Sequence, residues 1–171
     1  HGTLAIIDTR SQIAWLEPTR IHTQTNHSFK YEFATTFDCT KVSRKVEYDL
    51  QDWLWSLFWH SLDFQRLAPN ENEYFKIEHW PQPSQSTDRK IILLLSACFI
   101  QGAQLSQVAT QLKIPIQTVQ QFIAACIISN NGDIIPATES HYLKSEAAEQ
   151  PVEEHNFFNK FFGKIRRRFG L

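Results

Sequence analysis

LSQVATQLKIPIQTVQQFIAAC, residues 105–126, decides the fold of the second half of the chain. Val108, Ala109 and Leu112 recur at helical steps and share the inner face of a short helix. Val119, Phe122 and Ile123 do the same in the next helix, and Ile114 sits at the turn between them. Small Ala109 lets the two helices cross steeply at close range. Upstream, residues 89–101 read as an apolar helix that Asp88 caps with its carboxylate and Gly102 terminates. Downstream, Asn130-Asn131-Gly132-Asp133 signals a tight turn, Ile134-Ile135 a short strand, and Pro136 an early stop.

The spacing of Val108, Ala109, Leu112, Ile114, Val119 and Phe122 resembles the buried positions of bacterial winged-helix regulators over about 22 residues, with Lys113 where the motif usually has Gly. The resemblance implies a winged-helix-like domain over residues 84–136, Ile134-Ile135 opening a truncated wing. In many relatives the third helix reads the DNA major groove. The residues expected to face outward for that use are Ile116, Gln117, Thr118, Gln120 and Gln121. Glutamine recognises adenine edges, but affinity for a duplex comes from cations that neutralise phosphates. Between Ile91 and Gly132 the only charged side chain is Lys113. Such a face suits a protein partner. DNA binding, the alternative, would have to borrow cations from Arg89, Lys90, the C-terminal tail or a second subunit.

Residues 3–16 read as a β-hairpin turning at Asp8-Thr9-Arg10-Ser11, and the alternation of Phe29, Tyr31 and Phe33 with Lys30 and Glu32 predicts a third strand over 29–37. Val46, Leu50, Trp53, Leu54, Leu57, Phe58 and Leu62 predict a helix over 46–62. Tyr48, Trp55 and Trp59 lie nearly opposite that stripe. Either the helix is covered on two sides, the commoner arrangement, or these aromatics form a docking face. Residues 74–80 predict a strand, and Trp80-Pro81-Gln82-Pro83 a polar loop and the seam that closes an α+β unit over 1–83.

Residues 137–155 are acidic and polar, the composition of a solvated linker. Residues 156–171 hold no acid and five cations, Lys160, Lys164, Arg166, Arg167 and Arg168, among Phe157, Phe158, Phe161, Phe162, Ile165 and Phe169. On a helix the apolar set spans an arc of about 140° with Lys160, Arg166 and Arg167 outside it. This pattern predicts a basic amphipathic helix suited to an anionic membrane surface. It is similar to the short membrane-tethering tails of bacterial cell-division ATPases. Docking into a partner's groove or back onto the chain's own domain are the competing uses. One such helix binds reversibly, so stable anchoring needs a second signal or oligomerisation.

The 17 Lys and Arg balance 18 Asp and Glu, which excludes an overall basic field. Cys39, Cys98 and Cys126 are odd in number and far apart, fitting neither a disulfide framework nor a metal knuckle, and place the chain in reducing cytoplasm. The start HGTLAIIDTR carries no secretory pattern, and the absence of any Met suggests a fragment or trimmed chain. The apolar run over 91–100 falls short of the ~20 residues that cross a bilayer. No histidine pair has zinc-site spacing, and five glycines form no phosphate loop or nucleophile elbow. Asp8 reads as a turn former, and Cys39 beside Lys41 has no base partner. The sequence thus predicts an α+β fold and a non-enzymatic adaptor or regulator without cofactor or metal. It would be cytoplasmic, reach the inner membrane surface through its tail, bind a protein partner and self-associate if the tryptophan face is free.

Overall fold

A computed structural model describes residues 5–16, 32–60, 65–81 and 88–141. The fold is α+β, with five α-helices and two three-stranded antiparallel sheets among the described residues. The predicted hairpin forms: β1 (Ala5–Asp8) pairs with β2 (Ile13–Leu16), Ile7 opposite Ala14. Asp8 closes its turn by accepting from the Arg10 amide at 2.9 Å and the Ser11 hydroxyl at 2.7 Å.

The third strand of this meander is not at 29–37. Residues 29–31 lie outside the described residues, 32–35 are irregular, and α1 (Thr36–Thr40) follows. Thr35 and Asp38 explain the difference, because they form a reciprocal capping box: the Thr35 hydroxyl accepts the Asp38 amide, and the Asp38 carboxylate accepts the Thr35 amide. The strand is instead β3 (Val46–Asp49), paired with β2. The helix predicted over 46–62 therefore begins only with α2 (Leu50–Trp59), its last predicted residues, 61 and 62, lying outside the described set. Asp49 separates strand from helix, its carboxylate capping the Gln51 and Asp52 amides at 2.9 and 3.0 Å.

The second sheet has β4 (Tyr74–Ile77) at its centre, between β5 (Ala103–Gln104) and β6 (Gly132–Ile135). Around it stand α3 (Arg89–Phe99), α4 (Leu105–Leu112) and α5 (Ile116–Ile128). Lys113, between α4 and α5, takes the left-handed conformation (φ 54°, ψ 43°) that a glycine would hold without strain. The strand expected to open a wing hairpin pairs with the upstream β4. Its first residue, Gly132, lies so close to β4 that a β-carbon would strike the Lys76 carbonyl oxygen and the Phe75 ring.

The seam expected near 80–83 is bridged by contact, since β4 lies before it while both its sheet neighbours lie after it. One hydrophobic core joins α2 to α3, α4, α5 and the second sheet. Phe122 of α5 stacks on Phe99 of α3 (6.2 Å between centroids), and Phe99 meets Phe75 of β4 edge to face at 5.8 Å. Ile6, Ala14, Leu16 and Leu50 are buried apart from this cluster. Residues 137–141, expected as the start of a linker, are tied to the fold: Ala137–Glu139 form a 3-10 turn, the Ser140 hydroxyl donates to the Gly102 carbonyl at 2.7 Å, and the His141 amide to the Gln101 carbonyl at 3.0 Å; residues 142–155 lie outside the described set.

Candidate functional site

The five side chains expected to present α5 to a partner are not equivalent. Gln117 is exposed, whereas Ile116, which packs against the core, and Thr118 are half-buried. Gln120 and Gln121 are occupied within the protein. The Gln120 side-chain amide donates to the Pro69 carbonyl at 3.0 Å, and that of Gln121 to the Trp59 carbonyl at 2.7 Å. Two of the residues assigned to a free face therefore hold the preceding segment against the helix. The second half of α5 carries the missed signal: Phe122, Ile123, Ala124, Ala125 and Cys126 are all buried, and a helix apolar on every side is a central one.

The aromatic docking face is likewise corrected. Trp55 and Trp59 retain 2% and 6% of their exposure, so they are core. Their rings stack at 5.6 Å, and both meet Phe122 edge to face, at 6.5 and 6.4 Å. Small Ala124 and Ala125, both fully buried, leave α5 slim along its second half. Tyr48 is not on the helix at all; it is half-buried on β3.

The Trp59 indole N–H donates to the Asp88 carboxylate at 3.3 Å. Asp88 makes no side-chain cap bond to α3, contrary to its expected capping role, although its backbone carbonyl accepts the Ile92 amide at 3.1 Å. The buried Trp55 indole N–H makes no hydrogen bond of full geometry, the Cys126 thiol being its polar neighbour. Burial pushes the Cys126 thiol up to about 12, against a smaller opposing pull from the Trp55 indole.

Two shallow clefts border α5. One, of about 390 Å³, lies on the turn between α4 and α5 and is lined by apolar Ala109, Ile114 and Ile116 together with Glu71, Ser106, Thr110 and Lys113. The other, of about 480 Å³, is lined by Gln65, Ala68, Pro69, Asn70, Gln117 and Gln120. It offers amides and carbonyls but no charge or nucleophile. Among the described residues no group of His, Cys, Asp and Glu is arranged to hold a metal ion, and no helix is long and apolar enough to cross a membrane. The tail residues Phe157, Phe158, Lys160, Phe161, Phe162, Lys164, Ile165, Arg166, Arg167, Arg168 and Phe169 lie outside the described set.

No family model, curated protein or solved structure matches this chain. Its functional reading accordingly rests on residues and geometry. These offer a neutral, mostly enclosed helix-turn-helix with one short, half-apolar cleft at its turn.

Proposed function

We propose that the chain is a non-enzymatic adaptor or regulator. Its winged-helix-like module docks a protein partner at the turn between α4 and α5, and residues 156–171 engage an anionic membrane surface. The order β5, α4, α5, β6 supports the winged-helix reading, β4 taking the place that a returning wing strand would fill.

The observation that carries the choice of protein over DNA is the enclosure of α5 by α2. Laying α5 in a major groove along its whole length requires α2 to leave, which uncovers two tryptophans that bury roughly 150–250 Å² each. At about 25 cal/mol per Å² that separation costs on the order of 10 kcal/mol, as much as the whole stability of an ordinary domain. The few cations nearby make no compensating set of phosphate contacts. The remaining cleft combines apolar Ala109, Ile114 and Ile116 with Lys113 and Glu71, a composition that fits a short apolar segment flanked by charge.

The test is a comparison of the full chain with a Thr110→Arg, Lys113→Glu variant in capture from the native cell, alongside duplex binding at rising salt. The reading expects one protein partner retained by the parent and lost by the variant, with duplex affinity weak and indifferent to sequence. Tight, salt-steep capture of a single operator sequence would reject it in favour of a transcription regulator.

A further inference from the structure

The chain holds one Asn-Gly pair, Asn131-Gly132, and it falls where α5 hands over to β6. In such a pair the asparagine side chain closes most readily on the main chain, because glycine places no β-carbon beside the attacking nitrogen. The reaction needs only base and water. The Gly132 amide nitrogen gives up its proton and attacks Cγ of Asn131, the Cγ–Nδ2 bond breaks, and Nδ2 leaves as ammonia with a proton from water. Water then opens the resulting cyclic imide at either carbonyl. One product is aspartate; the other is isoaspartate, in which the main chain runs through Cγ and is longer by a methylene.

The fold pins the torsions that this closure must turn. Asn130, left-handed at φ 56°, donates its amide to the Ile127 carbonyl at 3.1 Å, and the Asn131 amide donates to the Cys126 carbonyl at 2.8 Å, the paired bonds of a Schellman cap. The Asn131 carbonyl accepts two amides, those of Glu78 at 2.8 Å and His79 at 3.0 Å, so turning the bond from Cα to the carbonyl carbon forfeits both. The Asn131 side-chain amide donates to the Ser129 hydroxyl at 2.7 Å, and that buried hydroxyl donates to the Ala125 carbonyl at 2.8 Å. Gly132 is itself buried, opposite Ile77 of β4 and hard against the Lys76 carbonyl and Phe75 ring. Bringing the Gly132 nitrogen onto Cγ therefore requires β6 to part from β4.

We propose that Asn131 is a deamidation site held shut by the β4–β6 pairing and the Ser129 bond, so that reaction there records the opening of this edge of the second sheet. The record is permanent. Isoaspartate adds its methylene at the entry to β6, and Gly132 has no slack to absorb it, since even a β-carbon would strike its neighbours. A chain that has opened and reacted in this way cannot rebuild the pairing as it was.

The experiment incubates the full chain in warm, mildly alkaline buffer, both folded and unfolded in guanidinium. Mass spectrometry of proteolytic peptides follows Asn131, and chromatography separates isoaspartate from aspartate. The Ser129→Ala variant is treated in the same way, its thermal midpoint checking that it folds. The proposal expects conversion in the unfolded chain, and conversion slower by ~tenfold or more in the folded one, where only the open fraction reacts. Folded Ser129→Ala should react faster than the folded parent, and denaturant below the unfolding transition should speed both. The isoaspartate form, returned to native buffer, should melt below the parent. Equal rates in the folded and unfolded parent overturn the proposal, as does an unfolded chain whose Asn131 stays intact. So does an isoaspartate form with the parent's midpoint, because the reaction would then leave no mark on the fold. The comparison within the parent decides the matter even where the variant fails to fold.

Discussion

At Lys113 a lysine holds a backbone conformation that its β-carbon disfavours by roughly 1–2 kcal/mol, and the turn between α4 and α5 depends on it. Lys113→Gly is therefore expected to raise stability by about 1 kcal/mol, less the added flexibility of the unfolded chain. A urea titration with unchanged slope measures this; a lower midpoint would mean that the lysine side chain contributes more than its strain. Gly132 has the opposite need, for an absent side chain. Gly132→Ala should lower stability by about 2 kcal/mol, because β6 cannot keep its spacing from β4 with a β-carbon against the Lys76 carbonyl and Phe75 ring. Asp52, at the start of α2, shows a third residue-scale effect: partial burial, and then the charge of Asp49, hold its carboxyl above the usual range. A raised carboxyl penalises the folded state once ionised, and the penalty vanishes as pH falls through the folded pKa and the group protonates. Asp52→Asn should thus stabilise the protein at neutral pH, with the gain disappearing in acid. Stability curves across that range check the sign.

At the scale of elements, α2 against α5 is the contact that sets the functional reading. Trp59→Ala removes a stacked ring and the indole bond to Asp88, and should lower stability by about 3–5 kcal/mol. Gln121→Ala removes one bond to the Trp59 carbonyl and should lower it by about 1 kcal/mol. Equal, negligible effects in thermal unfolding would mean that α2 is loosely held. The strands and helices whose signals are local were legible in the sequence. Short apolar runs on either side of an Asp-led turn gave β1 and β2, and two sets of helical spacings gave α4 and α5. Where periods blur, boundaries shifted: Val46, Leu50 and Trp53 fit one helical stripe, but the Asp49 cap was the stronger local signal and marks where β3 ends. The capping box of Thr35 and Asp38 was likewise present in the sequence and outweighs the alternating aromatics before it. Long-range pairing had no local mark. Nothing near Tyr74 says that β4 will sit between β5 and β6, and nothing in Gln120 or Gln121 says that their amides are spoken for by Pro69 and Trp59.

For the whole molecule, α2 shares one core with α3, α4, α5 and the second sheet, and burial separates the thiols. Cys98 and Cys126 are enclosed and Cys39 is exposed. In the native protein one thiol should react promptly with an aromatic disulfide reagent at mildly alkaline pH. The other two should react only at the rate of unfolding, Cys126 being held protonated by its burial. Prompt reaction of all three would contradict a closed core. The central claim is that α5 is an interior helix rather than a reading head, and native-state hydrogen exchange in low denaturant addresses it most directly. The account predicts that amides within Ile116–Ile128 and Leu50–Trp59 exchange together, with the free energy and denaturant dependence of global unfolding. If α2 instead opens at low free energy while α3 and the second sheet stay protected, baring the outer face of α5 in an otherwise folded molecule, the claim is wrong.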